Sequence, residues 1–185
     1  MNALVKTDKY APSYQVAQRT DTQEKQYLTF MLGGEVFSIG ILCIKEIIWY
    51  ANQTEVPMMP EYIRGVINLR GSVVPVMDLS KRFGKPSTPV SKSTCIVIIE
   101  VQTHIVGEYQ NMGVVVDSVQ AVLEIASSEI APSPSFGAKV RSDFIEGIAK
   151  VNGKFVILLN VNRVLSTEDV EHLGQMTKSL GDFQE

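Results

Sequence analysis

A few side chains in this sequence carry polar or nucleophilic chemistry at conspicuous places. Arg70 and Glu46 each stand among aliphatic residues, Cys43 and Cys95 lie inside apolar runs, and His104 and His172 are far apart. A planar guanidinium can grip a partner carboxylate or backbone carbonyls with two parallel hydrogen bonds, which lysine does poorly. Glu46 would be the counter-charge of Arg70 if their elements lie side by side, and an exposed pair of this kind contributes only ~0.2–1 kcal/mol, so its use would be orientation rather than stability. The plain alternatives are a solvated turn arginine and a solvent-facing glutamate between Ile44 and Ile47. A free thiol in an apolar strand behaves as a small hydrophobe, so both cysteines read as structural rather than as a redox pair. Neither histidine has a second ligand at useful spacing, which argues against zinc. The chain has no GxSxG elbow, GxGxxG or phosphate loop, HExxH or paired-cysteine spacing. These readings predict a binding protein, not an enzyme, with no metal and no cofactor.

The elements that position these residues come as a duplication. The segment IRGVINLRGSVVPVMDL from Ile63 returns as IEGIAKVNGKFVILLNV from Ile145, displaced by 82 positions without a gap. Ile63 matches Ile145, Gly65 matches Gly147, Gly71 matches Gly153 and Val74 matches Val156. Shared glycines and aliphatics speak for folding. Positions where the copies differ in chemistry, such as Arg70, Pro75 and Asp78 against Asn152, Ile157 and Asn160, point instead to function. Ile41, Ile44 and Ile47 align with Val116, Val119 and Val122 at an offset of 75, which sets Glu46 opposite Ala121.

Residues 1–25 are polar and aperiodic and predict a flexible tail. From Gln26 onward, short runs rich in Val, Ile, Phe and Tyr are punctuated by Gly, Pro, Asn and Ser, the pattern of a mainly β domain. Hairpins are expected at Gly33-Gly34, at Arg70-Gly71 and at Asn152-Gly153, because glycine and asparagine accept positive φ. Cys43 to Trp49 reads as the end of a helical turn leading into a strand, with Trp49 in the core. Pro60 is expected to open a short helix, Glu61 to Arg64, stopped by Gly65. Ser166 and Asp169 form an approximate capping box for a C-terminal helix carrying Val170, Leu173 and Leu180 on one face.

A chain of 185 residues can build its own core, since one of that size buries roughly 70% of its unfolded surface. The formal charge of −3 supplies no field for a phosphate backbone, so nucleic acid is not an expected partner. No apolar run approaches the ~20 residues of a membrane span, and the N-terminus lacks the pattern of a secretory signal. A cytoplasmic protein without direct membrane insertion is expected. Phe136 closes the loop PSPSF, where it either folds back onto the core or stands out as an aromatic anchor on a stiffened loop.

The runs FSIGILCIKEII, PEYIRGVINLRGSVVPVMDLSKRF, MGVVVDSVQAVLEI, IAPSPSF and IEGIAKVNGKFVILLNVNRVL, in that order, resemble the CheW family of chemotaxis coupling proteins from about Gln26 to Leu173. The resemblance implies two five-stranded SH3-like β-barrel subdomains on a shared hydrophobic interface, with short helices and a C-terminal helix. Residues 26–173 would form a CheW-like domain of two intertwined barrel halves, followed by a helix end and tail at 174–185. It also implies a non-catalytic scaffold that binds the regulatory domain of the histidine kinase CheA and the cytoplasmic tip of methyl-accepting chemoreceptors, recruited to membrane-bound receptor arrays. By motif position Arg70 matches the arginine of NLRG, Glu46 the glutamate of the xxEI motif, and Gly65 the glycine that opens the same hairpin. Ile44, Cys95, Met112 and Gly113 would line or shape the apolar groove that takes the receptor tip, and Phe136 matches an aromatic that contributes to kinase contact. Two departures stand out: the stretch from Gln102 to Asn111 and the N-terminal tail are both long. A CheW-like protein of a non-chemotactic receptor-kinase pathway would have the same domain and different partners. A CheV-like scaffold is set aside, since no receiver domain fits before Glu185.

Overall fold

Hairpins at Gly33-Gly34, Arg70-Gly71 and Asn152-Gly153 have both central residues at positive φ, between 52° and 85°. That is the twist a two-residue turn needs between right-twisted strands. The computed structural model describes residues 2–3, 24–103, 105–133, 142–164, 172–175 and 178–180. In chain order its strands are β1 (Asn2–Ala3), β2 (Glu24–Leu32), β3 (Glu35–Gly40), β4 (Ile44–Trp49), β5 (Ile63–Leu69), β6 (Ser72–Asp78), β7 (Cys95–Gln102), β8 (Tyr109–Val116), β9 (Ser118–Ala126), β10 (Ile130–Ala131), β11 (Ile145–Val151) and β12 (Lys154–Leu159). A 3-10 turn over Ile41–Cys43 leads into β4, as the sequence suggests. One-turn helices α1 (Leu79–Arg82) and α2 (Val161–Val164) follow the two repeated hairpins.

The strands form two sheets, of order β4-β7-β8-β6-β5 and β1-β9-β2-β3-β12-β11-β10. The first has the expected five strands; the second has five plus the two-residue strands β1 and β10 at its margins. The copies exchange hairpins. The first copy's β2–β3 lies between β9 and β12, and the second copy's β7–β8 lies between β4 and β6, each through one antiparallel and one parallel seam. An exchanged hairpin is covered on both faces, which is why β7 reads CIVIIEVQ, nearly continuous apolar sequence rather than alternation. Ile96 and Ile98 face a cluster with Val74, Val76 and Val115, whereas Cys95, Val97, Ile99 and Val101 face a second one shared with Leu28, Phe30 and Phe37. A third cluster around Tyr27, Val156 and Leu158 fills the other sheet. Each sheet therefore has its own core, and a larger one lies between them. Phe30, Phe37, Phe83 and Phe144 run through that shared core with successive ring centroids 6.2, 5.6 and 6.0 Å apart.

The duplication extends further than the sequence comparison reached. Asp78 N–H donates to Tyr62 O and Asn160 N–H to Phe144 O, repeat-equivalent bonds that enter α1 and α2. Arg82 lies between the equivalent aromatics, 4.8 Å from the Tyr62 ring centroid and 5.1 Å from that of Phe144.

Several expectations change. Glu61 and Tyr62 form a turn and Ile63 begins β5, so there is no Glu61–Arg64 helix. Ile63 N–H still bonds Pro60 O, but the exchanged sheet needs Ile63 to Leu69 extended against β6. Trp49 is 36% exposed rather than core, because β4 is an outer strand. Asp78, set apart as a candidate for function, serves the fold. Its side chain is 1% exposed, accepts from Lys81 N–H at 3.3 Å to cap α1 and from Thr88 N–H at 3.2 Å, and pairs with Arg64 Nη2 at 2.9 Å. Asn2–Ala3, inside the segment read as a tail, pairs with β9. The Ser166 cap lies outside the described residues, while residues 172–175 are helical and Leu173 is buried.

Candidate functional site

The site is built at an outer corner of the five-stranded sheet. β5 and β6 pair in register through Leu69 and Ser72, which leaves Arg70 and Gly71 as the turn. Arg70 holds φ 52°, a region asparagine or glycine accepts readily and arginine does not. Asn68 Oδ1 accepts from Gly71 N–H at 2.9 Å and clamps the turn from one strand end. Across the corner, β4 meets β7 with a register shift between Ile44 and Glu46, so Lys45 is the extra residue. Such a bulge re-aims the side chains beside it. Glu46 reaches Arg70: its Oε2 accepts from Arg70 Nη1 at 2.5 Å, with the arginine side chain 77% exposed and the glutamate 23%. Lys45 pairs with Glu100 at 3.1 Å on the neighbouring strand.

Orientation is the chemical result. Glu46 uses one edge of the guanidinium and leaves donors on the exposed remainder for a partner. At the repeat-equivalent corner stand Asn152 and Ala121, where neither charge exists. Asn68 and Lys45 are residues that the sequence reading missed. For Asn68 a signal was available, since asparagine is a favoured turn residue whose side chain bonds nearby backbone N–H groups; for Lys45 there was none, because bulge register depends on the partner strand.

The remaining candidates occupy different environments. Ile44 is half-buried at the rim of the shared core, while Cys95 and Met112 are inside it at 3% and 0% exposure. Gly113 is buried between β6 and β7, and a Cβ there would lie 2.8 Å from Ile96 Cγ2. Cys95 and Met112 thus shape this region from within, whereas Gly113 makes room for Ile96, Val76 and Ile98 in the five-stranded sheet's own core. Gly65 is buried as well, at a register shift in β5, and a Cβ on it would lie 2.3 Å from Thr54 O. Phe136 lies outside the described residues.

Burial pushes both thiols up to about 11, Cys43 with a smaller contribution from Glu146. The neutral thiol is the form the fold prefers, so this contribution to stability is complete below the unfolded thiol value and is lost as pH rises from about 9 toward 11. Native protein at pH 8 is expected to react with a thiol reagent at least tenfold more slowly than in urea; equal rates would contradict the burial of both groups. Among the described residues no group of three His, Cys, Asp or Glu side chains is arranged to hold a metal.

A family model described as the CheW-like domain matches residues 26–169. The chain is 30% identical over 159 residues to chemotaxis protein CheW of Klebsiella aerogenes, covering 86% of this chain and 92% of that one. It is 35% identical over 147 residues to chemotaxis protein CheW of Bacillus subtilis, covering 80% and 90%. The crystal structure of scaffolding protein TtCheW from Thermoanaerobacter tengcongensis is similar with a TM-score of 0.70 at 32% identity, over 82% of this chain and 94% of the other.

Proposed function

Since the chain belongs to the CheW family of chemotaxis adaptors, we propose that it couples the cytoplasmic tips of chemoreceptors to the histidine kinase CheA, as a non-catalytic scaffold using the Arg70–Glu46 corner for polar recognition. The observation that carries this reading of the corner is the ion pair itself. It joins two exposed-edge elements, contributes only about 0.2–1 kcal/mol at such exposure, and has no counterpart in the second copy, so folding does not account for it. We assign the shared core's rim at Ile44, shaped from beneath by Cys95 and Met112 and supported by Gly113 from the sheet's own core, to the apolar part of the receptor contact. Phe136 is assigned to the kinase contact, and Gly65 to holding the hairpin that carries Arg70. The proposed location is the cytoplasmic side of receptor arrays, reached through these partners; among the described residues no helix is long and apolar enough to cross a membrane. Residues 26–173 are proposed as the coupling domain.

A scaffold alters kinase activity only through different affinities for the kinase's alternative arrangements. The test is a receptor-coupled kinase assay with matched thermal melts. Arg70→Glu is expected to reduce coupling at least tenfold, and the exchange Glu46→Arg with Arg70→Glu to recover part of it. Recovery is incomplete because the partner then meets a reversed charge. Arg70→Asn copies the second repeat's own turn: it relieves the positive-φ strain while losing the weak ion pair, so Tm stays within a few degrees of the parent as coupling falls. Full coupling in both Arg70→Glu and Arg70→Asn would remove Arg70 from the site.

A further inference from the structure

The two copies protect equivalent outer strands in different ways. β4 and β9 correspond, and each is bulged at the same place, at Lys45 in β4 and at Gln120 in β9. An outer strand presents unpaired N–H and C=O groups to any other strand it meets, and charged side chains are a common defence. β4 has that defence in Lys45 and Glu46, both ion-paired. β9 has Gln120 and Ala121 instead, followed by half-buried Val122 and Leu123, and its outer side is where β1 lies, Asn2 opposite Val122 and Ala3 opposite Ala121.

We propose that the outer edge of β9 is a self-association surface that the chain's own N-terminal strand keeps covered, and that its partner when uncovered is the same edge of a second copy. The match is self-complementary. An antiparallel pair centred on Ala121 sets Ala121 opposite its own symmetry mate and keeps the two copies of Glu124, the charged residue of β9, apart at opposite ends, so no like charges meet across it. It also forms the isologous contact expected of a two-fold dimer. The covering is weak, because β1 pairs at two of the nine β9 positions. Covalent attachment compensates. β1 and β2 flank β9 about 10 Å apart, twice the strand spacing, and residues 4–23 join them. That tether places β1 at an effective concentration of about millimolar, above the protein concentration at which a second copy would compete.

The experiment uses the full chain with Asn2→Pro and Ala3→Pro, which removes the β1 donors, in size-exclusion chromatography with light scattering across a dilution series. The parent is expected to be monomeric and the proline variant to double in mass as concentration rises. Adding Gln120→Lys and Ala121→Glu, the charges of the first copy, should return it to monomer. Amide exchange in β9 of the proline variant should slow with rising concentration. A proline variant that stays monomeric, a parent already dimeric at the same concentrations, a dimer that survives the added charges, or β9 exchange independent of concentration would each overturn the proposal.

Discussion

Replacing Asp78 by alanine is expected to lower the unfolding free energy by about 3–5 kcal/mol, the cost of removing one partner from a buried ion pair. Its carboxylate receives Arg64 Nε at 3.0 Å and Nη2 at 2.9 Å, Thr88 N–H at 3.2 Å and Lys81 N–H at 3.3 Å. Alanine would leave the Arg64 guanidinium, 16% exposed, without its counter-charge, and would uncap α1. Arg64 has other acceptors, Tyr50 Oη at 3.0 Å and Thr88 O, but neither carries a full charge. Asp78→Asn preserves the shape and one acceptor oxygen, so it should fall between the parent and alanine. Urea denaturation measures the difference. A domain of ordinary stability, ~5–15 kcal/mol, would lose a large share of it. A loss under about 1 kcal/mol for Asp78→Ala would show that solvent already reaches the pair.

Gly65→Ala is expected to destabilise by about 3 kcal/mol, whereas Gly71→Ala should cost about 1 kcal/mol. The two glycines share a hairpin but not a reason. Gly71 is at φ 85° with nothing within 4 Å of the place a methyl would occupy, so alanine there meets only the backbone preference. At Gly65 the φ is 150° and the methyl would lie 2.3 Å from Thr54 O and 2.8 Å from Thr54 C, both backbone atoms of the segment bridged to Val66. Backbone cannot rotate away as a side-chain tip can, so β5 or the 54 bridge must shift. Gly147→Ala should behave likewise, because Ile130 Cγ2 and Ala131 O lie 2.4 and 2.8 Å from the place its methyl would occupy. Thermal melts would separate the cases: equal Tm losses for Gly65→Ala and Gly71→Ala would contradict the packing argument. A coupling defect in Gly65→Ala is then expected to track lost fold, unlike one in Arg70→Asn.

The candidate site was partly legible before any coordinates. The non-matching charges at 46 and 70 marked the corner, because a duplicated fold supplies an internal control for what packing requires. The same logic misassigned Asp78, whose equivalent Asn160 still opens a helix, with its backbone bonded to Phe144 O. Charge asymmetry alone did not distinguish a recognition residue from one that answers a buried arginine. Arg64 has Glu146 as its repeat equivalent, and that difference was the available clue.

What the sequence determined by itself was local: hairpin turns at Gly33-Gly34, Arg70-Gly71 and Asn152-Gly153, a mainly β domain, the duplication, and the family likeness. The turns and strands are encoded within a few residues, by tolerance of positive φ or by the period of apolar side chains, and the duplication and the likeness by the order in which such runs recur. Only the tertiary structure decided which strands pair. Many apolar strands here satisfy the same periodicity, and the choice among them rests on the summed burial of both faces and on bulge register, which depend on residues far apart in the chain. The exchange of β2–β3 for β7–β8, the pairing of Asp78 with Arg64, and the approach of Glu46 to Arg70 all follow from that choice.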